Sequence, residues 1–409
     1  MDTSNRKNIM ILAFTLVVVM LGYGMVIPIM PFYIEELGAG GTELGLLVAS
    51  YALMRLVFAP VWGNLSDRFG RKPILTIGVF GYAIAMLLFG LSTELWMLFA
   101  ARILSGILSS ATGPTTMAYV SDSTSEEERG GGMGILGGAL GLGMILGPGL
   151  GGWLGGESIA TPFFLAAGLS MLSVLLILFL LPESLPSDKR QKSTGNIAIL
   201  NTRELWQGLM SPIGIMLLLA FLMAAGLTIF YGVFGLYALE RFNYGTEEVG
   251  YILMVIGLVS AVGQGVLAGP FTKRFGDAAV IKGALLASVI GFGFMLLAND
   301  FLTVLLTTGF FILATALMTP AITSLTSKRA TGQQGIAMGL SSSSMSLGRI
   351  VGPLWGGIAF DINYLLPYLS GAVVMLLTFL VSLLLWTGFD AATAEMQFVE
   401  RVPWIEAFS

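Results

Sequence analysis

A short basic turn occurs twice in this chain, each time between two long apolar segments. Residues 63–75 read GNLSDRFGRKPIL, and residues 269–281 read GPFTKRFGDAAVI. The residues shared by the two copies are Gly63, Arg68, Phe69 and Gly70 in the first and Gly269, Arg274, Phe275 and Gly276 in the second. Such duplication inside a hydrophobic chain is typical of membrane proteins built from repeats. The turn therefore predicts two similar halves.

The composition requires lipid around much of the surface. Hydrophobic residues make up 56% of the 409 residues and charged residues only 11%, whereas soluble proteins carry about a quarter charged residues. The chain contains no cysteine and no histidine, which excludes disulfides, thiolate metal sites and imidazole proton relays. No metal or cofactor is expected, and any proton coupling would have to use Asp or Glu.

Twelve apolar segments are long enough to cross a bilayer as helices, which takes about 20 residues each. The predicted spans are 9–34, 43–65, 74–92, 95–120, 131–154, 160–181, 213–239, 247–270, 280–298, 301–325, 335–359 and 364–388. The first is interpreted as a retained span, because it is too long for a signal peptide and lacks a small-residue cleavage site. The predicted fold is all-α, with twelve transmembrane helices in two pseudo-symmetric six-helix bundles.

The polar segments divide the chain into two bundles, a linker and a tail. The bundles are assigned to residues 1–182 and 212–389, with a cytoplasmic linker at 183–211 and a cytoplasmic tail at 390–409. One amphipathic helix lying on the inner membrane surface is expected in the linker. The chain contains no G-x4-G-K-[ST] nucleotide-binding loop, which argues against direct use of ATP.

Lysine and arginine positions predict the orientation of the spans. With the N-terminus in the cytoplasm, the inner segments hold the basic residues, whereas the outer loops hold only Arg241 and are rich in Glu and Asp. The reverse orientation would violate this distribution in nearly every loop. Both termini are therefore expected in the cytoplasm, and the protein is expected in the inner or plasma membrane of the cell.

A second repeat relates two glycine-rich spans. The sequence ERGGGMGILGGALGLGMILGPGLGG at 128–152 matches QQGIAMGLSSSSMSLGRIVGPLWGG at 333–357. In the first copy Gly143, Gly147 and Gly151 lie four residues apart, so they share a helix face that another backbone can approach closely. Pro148 interrupts the backbone hydrogen bonds and allows a bend. Spans 5 and 11 are therefore expected at equivalent places in the two halves.

These motifs make the chain resemble the major facilitator superfamily along nearly its whole length. The turn at 63–73 is similar to that superfamily's G-x-L-a-D-R-x-G-R-K motif between spans 2 and 3. Span 5 is similar to its antiporter motif G-x8-G-x3-G-P-x2-G-G, through Gly134, Gly143, Gly147, Pro148, Gly151 and Gly152. The resemblance implies a drug:proton antiporter of the tetracycline and multidrug efflux type, and not an enzyme.

The resemblance implies a conformational latch at the basic turn. The latch residues are Gly63, Asp67, Arg68, Gly70, Arg71 and Asp122. Asp67 is expected to face the start of span 11 near Gly335, where a helix N-terminus favours negative charge. Asp122 is expected to pair with Arg68 or Arg71. The latch would hold the halves together on the inner side and break when that side opens; the alternative is ordinary positive-inside anchoring.

Three arginines lie deep inside predicted spans: Arg55, Arg102 and Arg349. Each costs about 2.5–3.5 kcal/mol there unless it has a partner or a wet cavity. Arg102 begins an R-x3-G sequence similar to the superfamily's span 4 motif, which implies a part in proton movement. No Asp or Glu lies at the middle of a span, so the acidic relay candidates are near the outer face: Glu35 and Glu36 after span 1, Glu240 after span 7 and Asp361 after span 11.

This distribution of charge favours a neutral, zwitterionic or anionic substrate over an organic cation. The alternative for Arg55 and Arg349 is a structural hydrogen bond to backbone carbonyls between the halves. Spans 1, 4, 7 and 10 line the substrate cavity in the superfamily. Aromatic and thioether side chains suit such a cavity, and the candidates are Tyr23, Met25, Met117, Phe230, Tyr231, Phe234, Gln264, Phe311 and Met318.

The expected function is proton-coupled export of small amphipathic compounds by alternating access. The expected partners are the lipid bilayer, a small-molecule substrate and protons, without nucleic acid or ATP, and the protein is expected to be a monomer. Two alternatives remain open. One is a transporter of the same fold for a specific metabolite, such as a sugar, lipid or amino-acid derivative, and the other is a non-transporting membrane sensor or scaffold.

Overall fold

The computed structural model describes residues 3–190, 210, 213–330 and 334–400, and within them the regular structure is helical. The first half contains α1 (Thr3–Glu36), α2 (Gly41–Phe69), α3 (Arg71–Gly90), α4 (Leu95–Ser109), α5 (Thr112–Ser123), α6 (Glu126–Glu157) and α7 (Thr161–Leu180). The second half contains α8 (Gly214–Phe242), α9 (Thr246–Val262), α10 (Ala268–Phe275), α11 (Asp277–Leu297), α12 (Phe301–Arg329), α13 (Gln334–Ile362) and α14 (Leu366–Glu400). Most of the predicted linker and its expected amphipathic helix lie outside the described residues.

Eleven helical segments in the described residues are long and apolar enough to cross a membrane. Two of them are interrupted helices: α4 and α5 form one, and α9 and α10 form another through a π-helical turn at Gly263–Leu267. The predicted span 11, α13, is absent from this set because Ser341–Ser344 and Arg349 lower its hydropathy. Its 29 residues pack between α8 and α2, so it completes the predicted set of twelve.

Each half has its own hydrophobic core. In the first half Phe89 and Phe163 are fully buried, and their rings stack with centroids 5.3 Å apart. In the second half Phe230, Phe311 and Tyr368 are fully buried in one aromatic cluster. The two separate cores confirm the predicted two-bundle fold.

The glycine-rich helices α6 and α13 occupy equivalent positions. Helix α6 packs on α1 of its own half and on α9 of the other, whereas α13 packs on α8 of its own half and on α2 of the other. A Cβ atom on Gly147 would lie 2.6 Å from the Leu21 carbonyl oxygen, and one on Gly352 would lie 2.5 Å from that of Ala225. Only glycine permits backbones to approach so closely. The predicted equivalence of spans 5 and 11 is confirmed.

The repeated turn also has the same backbone in both halves. Gly70 has a φ of 106° and Gly276 a φ of 81°, values that residues with a side chain rarely adopt. Each glycine ends one helix and starts the next. We call the membrane face that contains these turns the basic side, and the opposite face the acidic side.

The halves touch on the acidic side and are separated on the basic side. A Cβ atom on Gly152 would lie 2.7 Å from the Cα atom of Gly250 in the other half. At the basic ends of α6 and α13, by contrast, a Cβ atom on Gly134, Gly138 or Gly335 would meet no described atom within 4 Å. The structure is therefore closed on the acidic side and open on the basic side.

Candidate functional site

Arginine and tyrosine side chains of the first half meet near the middle of the membrane. The rings of Tyr23 on α1 and Tyr51 on α2 stack with centroids 5.2 Å apart. The Arg102 guanidinium on α4 lies 4.5 Å from the Tyr51 ring centroid and 5.8 Å from that of Tyr23. Arg55, one turn beyond Tyr51, lies 5.7 Å from the Tyr51 centroid. These cation–π contacts offset part of the cost of placing arginines there.

The second half contributes Arg349 and Tyr231 to the same place. Arg349, at the centre of α13, interacts electrostatically with Tyr23 and Arg55, and Tyr231 on α8 interacts with Tyr23. Arg349 lies one helical turn before Pro353, whose carbonyl oxygen contacts Gly45 of α2, so the exposed Arg349 side chain is on the face of α13 that points to the other half. We call the residues Tyr23, Tyr51, Arg55, Arg102, Tyr231 and Arg349 the arginine–tyrosine cluster.

The cluster contains positive charge without a carboxylate. In the described part of the chain, no ion pair involves an arginine of the cluster. Arg102 is only 3% exposed, and its Nε atom has no hydrogen-bond partner among the described residues. The arrangement can accept an anionic or hydrogen-bond-accepting group.

The predicted relay of three arginines and two glutamates is not assembled. The arginines meet in the cluster, but Glu35 and Glu240 are exposed in the last turns of α1 and α8 on the acidic side. Tyr23 and Glu35 are 12 residues apart on α1, which is roughly 18 Å of helix. The glutamates lie at the helix ends, as their sequence positions predict, because charged residues there remain in water, and a part of these residues in proton movement stays a prediction.

Most of the predicted cavity residues pack inside the bundles instead. Tyr23 and Tyr231 belong to the cluster, whereas Met117 and Gln264 are exposed, with Gln264 donating to the Ser260 hydroxyl over 2.9 Å. The residues that are buried in the cores of the halves are Met25, Phe230, Phe234, Phe311 and Met318. In this conformation their large apolar side chains fill the space between helices of one half, and their contact with a substrate stays a prediction.

The residues of the antiporter motif lie in three different environments. Gly143, Gly147 and Gly151 contact α1, where Cβ atoms would lie 2.6 Å from Met20, Leu21 and Met25 atoms respectively. Pro148 is buried beside Gly24, which also belongs to α1. Gly152 instead faces α9 of the other half, and Gly134 lies in open space. The motif therefore builds one half and also forms part of the contact between the halves.

Asp361 makes a contact between the halves that its sequence position did not predict. Its carboxylate accepts hydrogen bonds from the backbone N–H groups of Gly41 and Thr42 over 2.7 and 2.8 Å, and from the Thr42 hydroxyl. The first N–H groups of a helix lack intrahelical acceptors, and the helix dipole favours a negative charge there. A residue of α13 thus caps α2 on the closed side. The available sequence signal was the glycines at the start of α2. A glycine has no side chain that could cap the helix, so the cap has to come from another segment.

The latch residues form ion pairs within the first half only. Arg71 lies 2.5 Å from Asp67 and 2.8 Å from Asp122, and its side chain is 8% exposed. The predicted pairing of Asp122 with an arginine is present in the structure. Arg68 is exposed, with its guanidinium 5.4 Å from the Phe69 ring centroid.

Among the described residues, no hydrogen bond or ion pair joins Asp67 to the start of span 11 in this conformation. Asp67 binds Arg71 of its own half, and the space around both Gly63 and Gly335 is open among the described residues. The reason is the separation of the halves on the basic side. A role of these residues in holding the closed basic side together stays a prediction.

Glu183 is a residue of this region that sequence reasoning missed. Its carboxylate accepts hydrogen bonds from the backbone N–H groups of Arg71 and Lys72 over 2.9 and 3.2 Å. It also lies 3.9 Å from Arg190. Glu183 thereby caps α3 from the segment that follows α7. Its place directly after Pro182, at the end of a span, was the only sequence signal.

The second half has an equivalent ion pair with the charges exchanged. Lys328 on α12 donates to the Asp277 carboxylate over 2.6 Å, and the Ser324 hydroxyl donates over 2.9 Å. The offset that relates Gly70 to Gly276 also relates Arg71 to Asp277 and Asp122 to Lys328. Each half therefore joins its span 3 to its span 4 at the basic side by one ion pair, with opposite polarity.

This symmetry predicts the result of a charge exchange. We expect Asp122→Lys alone to lower the melting temperature, because losing a hydrogen bond to a charged group costs about 1.5–3 kcal/mol. The triple variant Asp67→Lys, Arg71→Asp, Asp122→Lys reproduces the charges of the second half and should recover most of the loss. Thermal unfolding of the purified protein, followed by tryptophan fluorescence, measures both. A triple variant no more stable than the single one would contradict the equivalence.

A pair of helical bundles that meet at a central polar cluster and close on one side only defines a membrane transport protein. The family model of the Major Facilitator Superfamily matches residues 12–276 and 216–407. The chain belongs to this superfamily.

In the described residues there is no group of three or more acidic, histidine or cysteine side chains that could hold a metal ion.

Bacterial drug-resistance proteins are among the relatives. The chain is 34% identical over 375 residues to Multidrug resistance protein 2 of Bacillus subtilis (strain 168), covering 91% of this chain and 94% of the relative. It is 29% identical over 383 residues to Quinolone resistance protein NorA of Staphylococcus aureus (strain COL), covering 91% and 96%.

Solved structures share the fold at lower sequence identity. The nucleoside transporter NupG superposes with a TM-score of 0.78 at 15% identity, covering 92% of this chain and 98% of that one. A bacterial homologue of the human lysosomal transporter Spinster, in an inward-facing and unoccupied conformation, gives a TM-score of 0.72 at 14% identity, covering 94% and 96%. These likenesses show the fold alone.

Proposed function

We propose that the protein is a proton-coupled exporter of small amphipathic compounds that works by alternating access. The observation that carries the proposal is the similarity to two multidrug resistance proteins over 91% and 90% of the chain. The arginine–tyrosine cluster supports it, because residues of both halves meet there and the open basic side gives access to the cluster. The protein acts as a transporter and not as an enzyme, without a cofactor or ATP.

The basic side is assigned to the cytoplasm. The turns at Gly70 and Gly276 lie beside Arg68, Lys72 and Arg274, and such clusters remain on the cytoplasmic side of membranes. Both termini are then cytoplasmic, and the structure represents the state that takes substrate from the cytoplasm. Arg241, the basic residue of the acidic side, donates to the Leu296 carbonyl over 2.7 Å, at the C-terminal end of α11 where a cation is favoured.

Asp361 is our candidate for the carboxylate through which protons outside the cell shift the conformational equilibrium. It is the acid whose charge links the halves, and it lies on the side assigned to the cell exterior. Protonation removes the charge that caps α2 and weakens closure of the acidic side, so the state that releases substrate outward becomes more populated. Glu43, whose carboxylate accepts from the Gly40 N–H over 2.9 Å, is the nearest other acid on α2.

Proton flux in everted membrane vesicles tests the function. Vesicles with an acidic interior should alkalinise when a transported compound is added, because protons leave as the compound enters. Cationic, neutral and anionic drugs would be added in turn to vesicles with and without the protein. The Asp361→Asn variant should lose the response, whereas Phe179→Leu, at a residue 79% exposed on α7, should keep it. No response to any drug contradicts the proposal, and a response to a single compound class favours a specific metabolite transporter.

The proposed unit of transport is one chain. Both walls of the cluster come from the same polypeptide, since Arg55 belongs to one half and Arg349 to the other. The protein reconstituted at one copy per vesicle should therefore transport at the same rate per molecule as at higher density. A rate per molecule that rises with density would contradict the monomer.

A further inference from the structure

Arg55 and Arg349 lie on α2 and α13, two helices of different halves that pack against each other. Each lies at the middle of a 29-residue helix, Arg55 on α2 and Arg349 on α13. Arg349 is exposed and Arg55 is half-buried, so both side chains can be reached from the open space. Two like charges near the membrane centre are unfavourable unless a negative group or water accompanies them.

Two other polar groups near these arginines have no hydrogen-bond partner among the described residues. Arg102 is 3% exposed with an unpaired Nε, and Tyr82 is 1% exposed with an unpaired hydroxyl, in both cases counting the described residues. Tyr82 interacts electrostatically with Arg102 and Arg55. Buried polar atoms in native proteins nearly always have a hydrogen-bond partner. Unpaired donors around two accessible arginines therefore point to a ligand that supplies negative charge.

The walls of this space are aromatic. Tyr23 and Tyr51 stack on one another, and Tyr231 approaches Tyr23 from the second half. Tyrosine rings provide flat apolar surface for an aromatic ligand, and guanidinium groups bind carboxylates through two parallel hydrogen bonds. The cluster therefore combines anion binding with aromatic stacking.

We propose that the arginine–tyrosine cluster binds an aromatic carboxylate, with the carboxylate between Arg55 and Arg349 and the ring against Tyr23 and Tyr51. The inference rests on the proposed export function, because it names the substrate class of that cluster. A bound carboxylate neutralises a charge in each half and bridges them. A compound with the same ring and no negative charge leaves both arginines without a counter-ion.

Equilibrium binding to the full-length protein in lipid nanodiscs tests this inference without transport. The probes are 2-naphthoate and its primary amide, which share the ring and differ in charge, measured by isothermal titration calorimetry with empty nanodiscs subtracted. We expect naphthoate to bind at least about 10-fold more tightly than the amide, because charge-assisted hydrogen bonds to arginine are stronger than neutral ones.

Substitutions at Arg55 and Arg349 should remove the preference for naphthoate over its amide, whereas a substitution outside the cluster should not. Arg55→Gln and Arg349→Gln should each bring the ratio of the two affinities close to one, and Arg349→Lys should retain part of it. Arg274→Gln, at an exposed arginine on the basic side, makes the same change outside the cluster and should keep the full preference. Thermal unfolding in the nanodisc verifies that each variant is folded.

The outcomes separate this inference from the proposed function. Equal affinities for naphthoate and its amide in the unaltered protein would overturn it, and so would a preference that survives in both glutamine variants. A preference for naphthoate together with no proton flux in vesicles would overturn only the export function. Proton flux driven by neutral or cationic drugs, without any naphthoate preference, would overturn only the aromatic carboxylate.

Discussion

Asp361→Asn is expected to open the acidic side of the protein. The carboxylate of α13 accepts hydrogen bonds from two backbone N–H groups and one hydroxyl at the start of α2, and the amide loses the charge and one of the two acceptor oxygens. A hydrogen bond to a charged group contributes about 1.5–3 kcal/mol, at the lower end for an exposed carboxylate. The closed state should lose roughly a factor of 10 in population relative to the open one.

The absence of cysteine from the chain makes this shift directly measurable. Spin labels on Glu94→Cys and Asn299→Cys, both exposed in loops of the acidic side and in different halves, report the separation of the halves. Electron–electron double resonance should show a longer-distance population in Asp361→Asn. An unchanged distance distribution would contradict a role of Asp361 in closure.

Asp300 offers a matched control for Asp361. It caps α12 within its own half by accepting from the Thr303 backbone N–H over 2.8 Å, and this hydrogen bond holds the pKa of Asp300 below its ordinary value. Asp300→Asn therefore weakens a helix cap without affecting a contact between the halves. We expect it to lower the melting temperature slightly and to leave the label distance unchanged.

Gly152→Val is expected to prevent closure of the acidic side almost completely. A Cβ atom there would lie 2.7 Å from the Cα atom of Gly250, and a backbone atom cannot move away as a side chain can. Overpacking costs about 1–3 kcal/mol, and here the cost falls on the closed state alone, because the halves separate in the open one. The same label pair should show mainly the longer distance, and export should fall at least about 10-fold.

Two valine substitutions separate this effect from a general loss of stability. Gly147→Val places the same side chain against α1 within one half, so it should lower the melting temperature without lengthening the label distance. Gly168→Val, where a Cβ atom meets no described atom within 4 Å, should change neither. A normal distance distribution in Gly152→Val would show that the two halves tolerate a side chain at their contact.

The sequence predicted the features that repeat or that lie close along the chain. The two halves, the equivalence of α6 and α13 and the pairing of Asp122 with a neighbouring arginine followed from motif spacing and from charges at the ends of spans. The role of Asp361 did not follow, because its hydrogen-bond donors lie at the start of α2, in the other half of the chain. A helix cap supplied by a distant segment leaves no local pattern.

The residues predicted to line the cavity show a second limit of prediction from the sequence. Phe230 and Tyr231 are neighbours on α8, yet Phe230 is fully buried in the core of its half while Tyr231 approaches Tyr23 across the interface. Spans that are apolar on every side do not show which face points at a cavity, at lipid or at a neighbouring helix. Polar groups such as Arg349 gave the better signal, because burying them against lipid is too costly.

The exchanged ion pairs on the basic side have a consequence for the energetics of the transport cycle. Arg71 is neutralised by acids of its own half, and Asp277 by Lys328 of its own half. The halves can therefore move apart without separating these opposite charges, and Arg71 and Asp277 keep their partners when the basic side opens. Opening of the basic side should then depend little on salt concentration, whereas closure on the acidic side, which uses Asp361, should weaken as salt screens that charge.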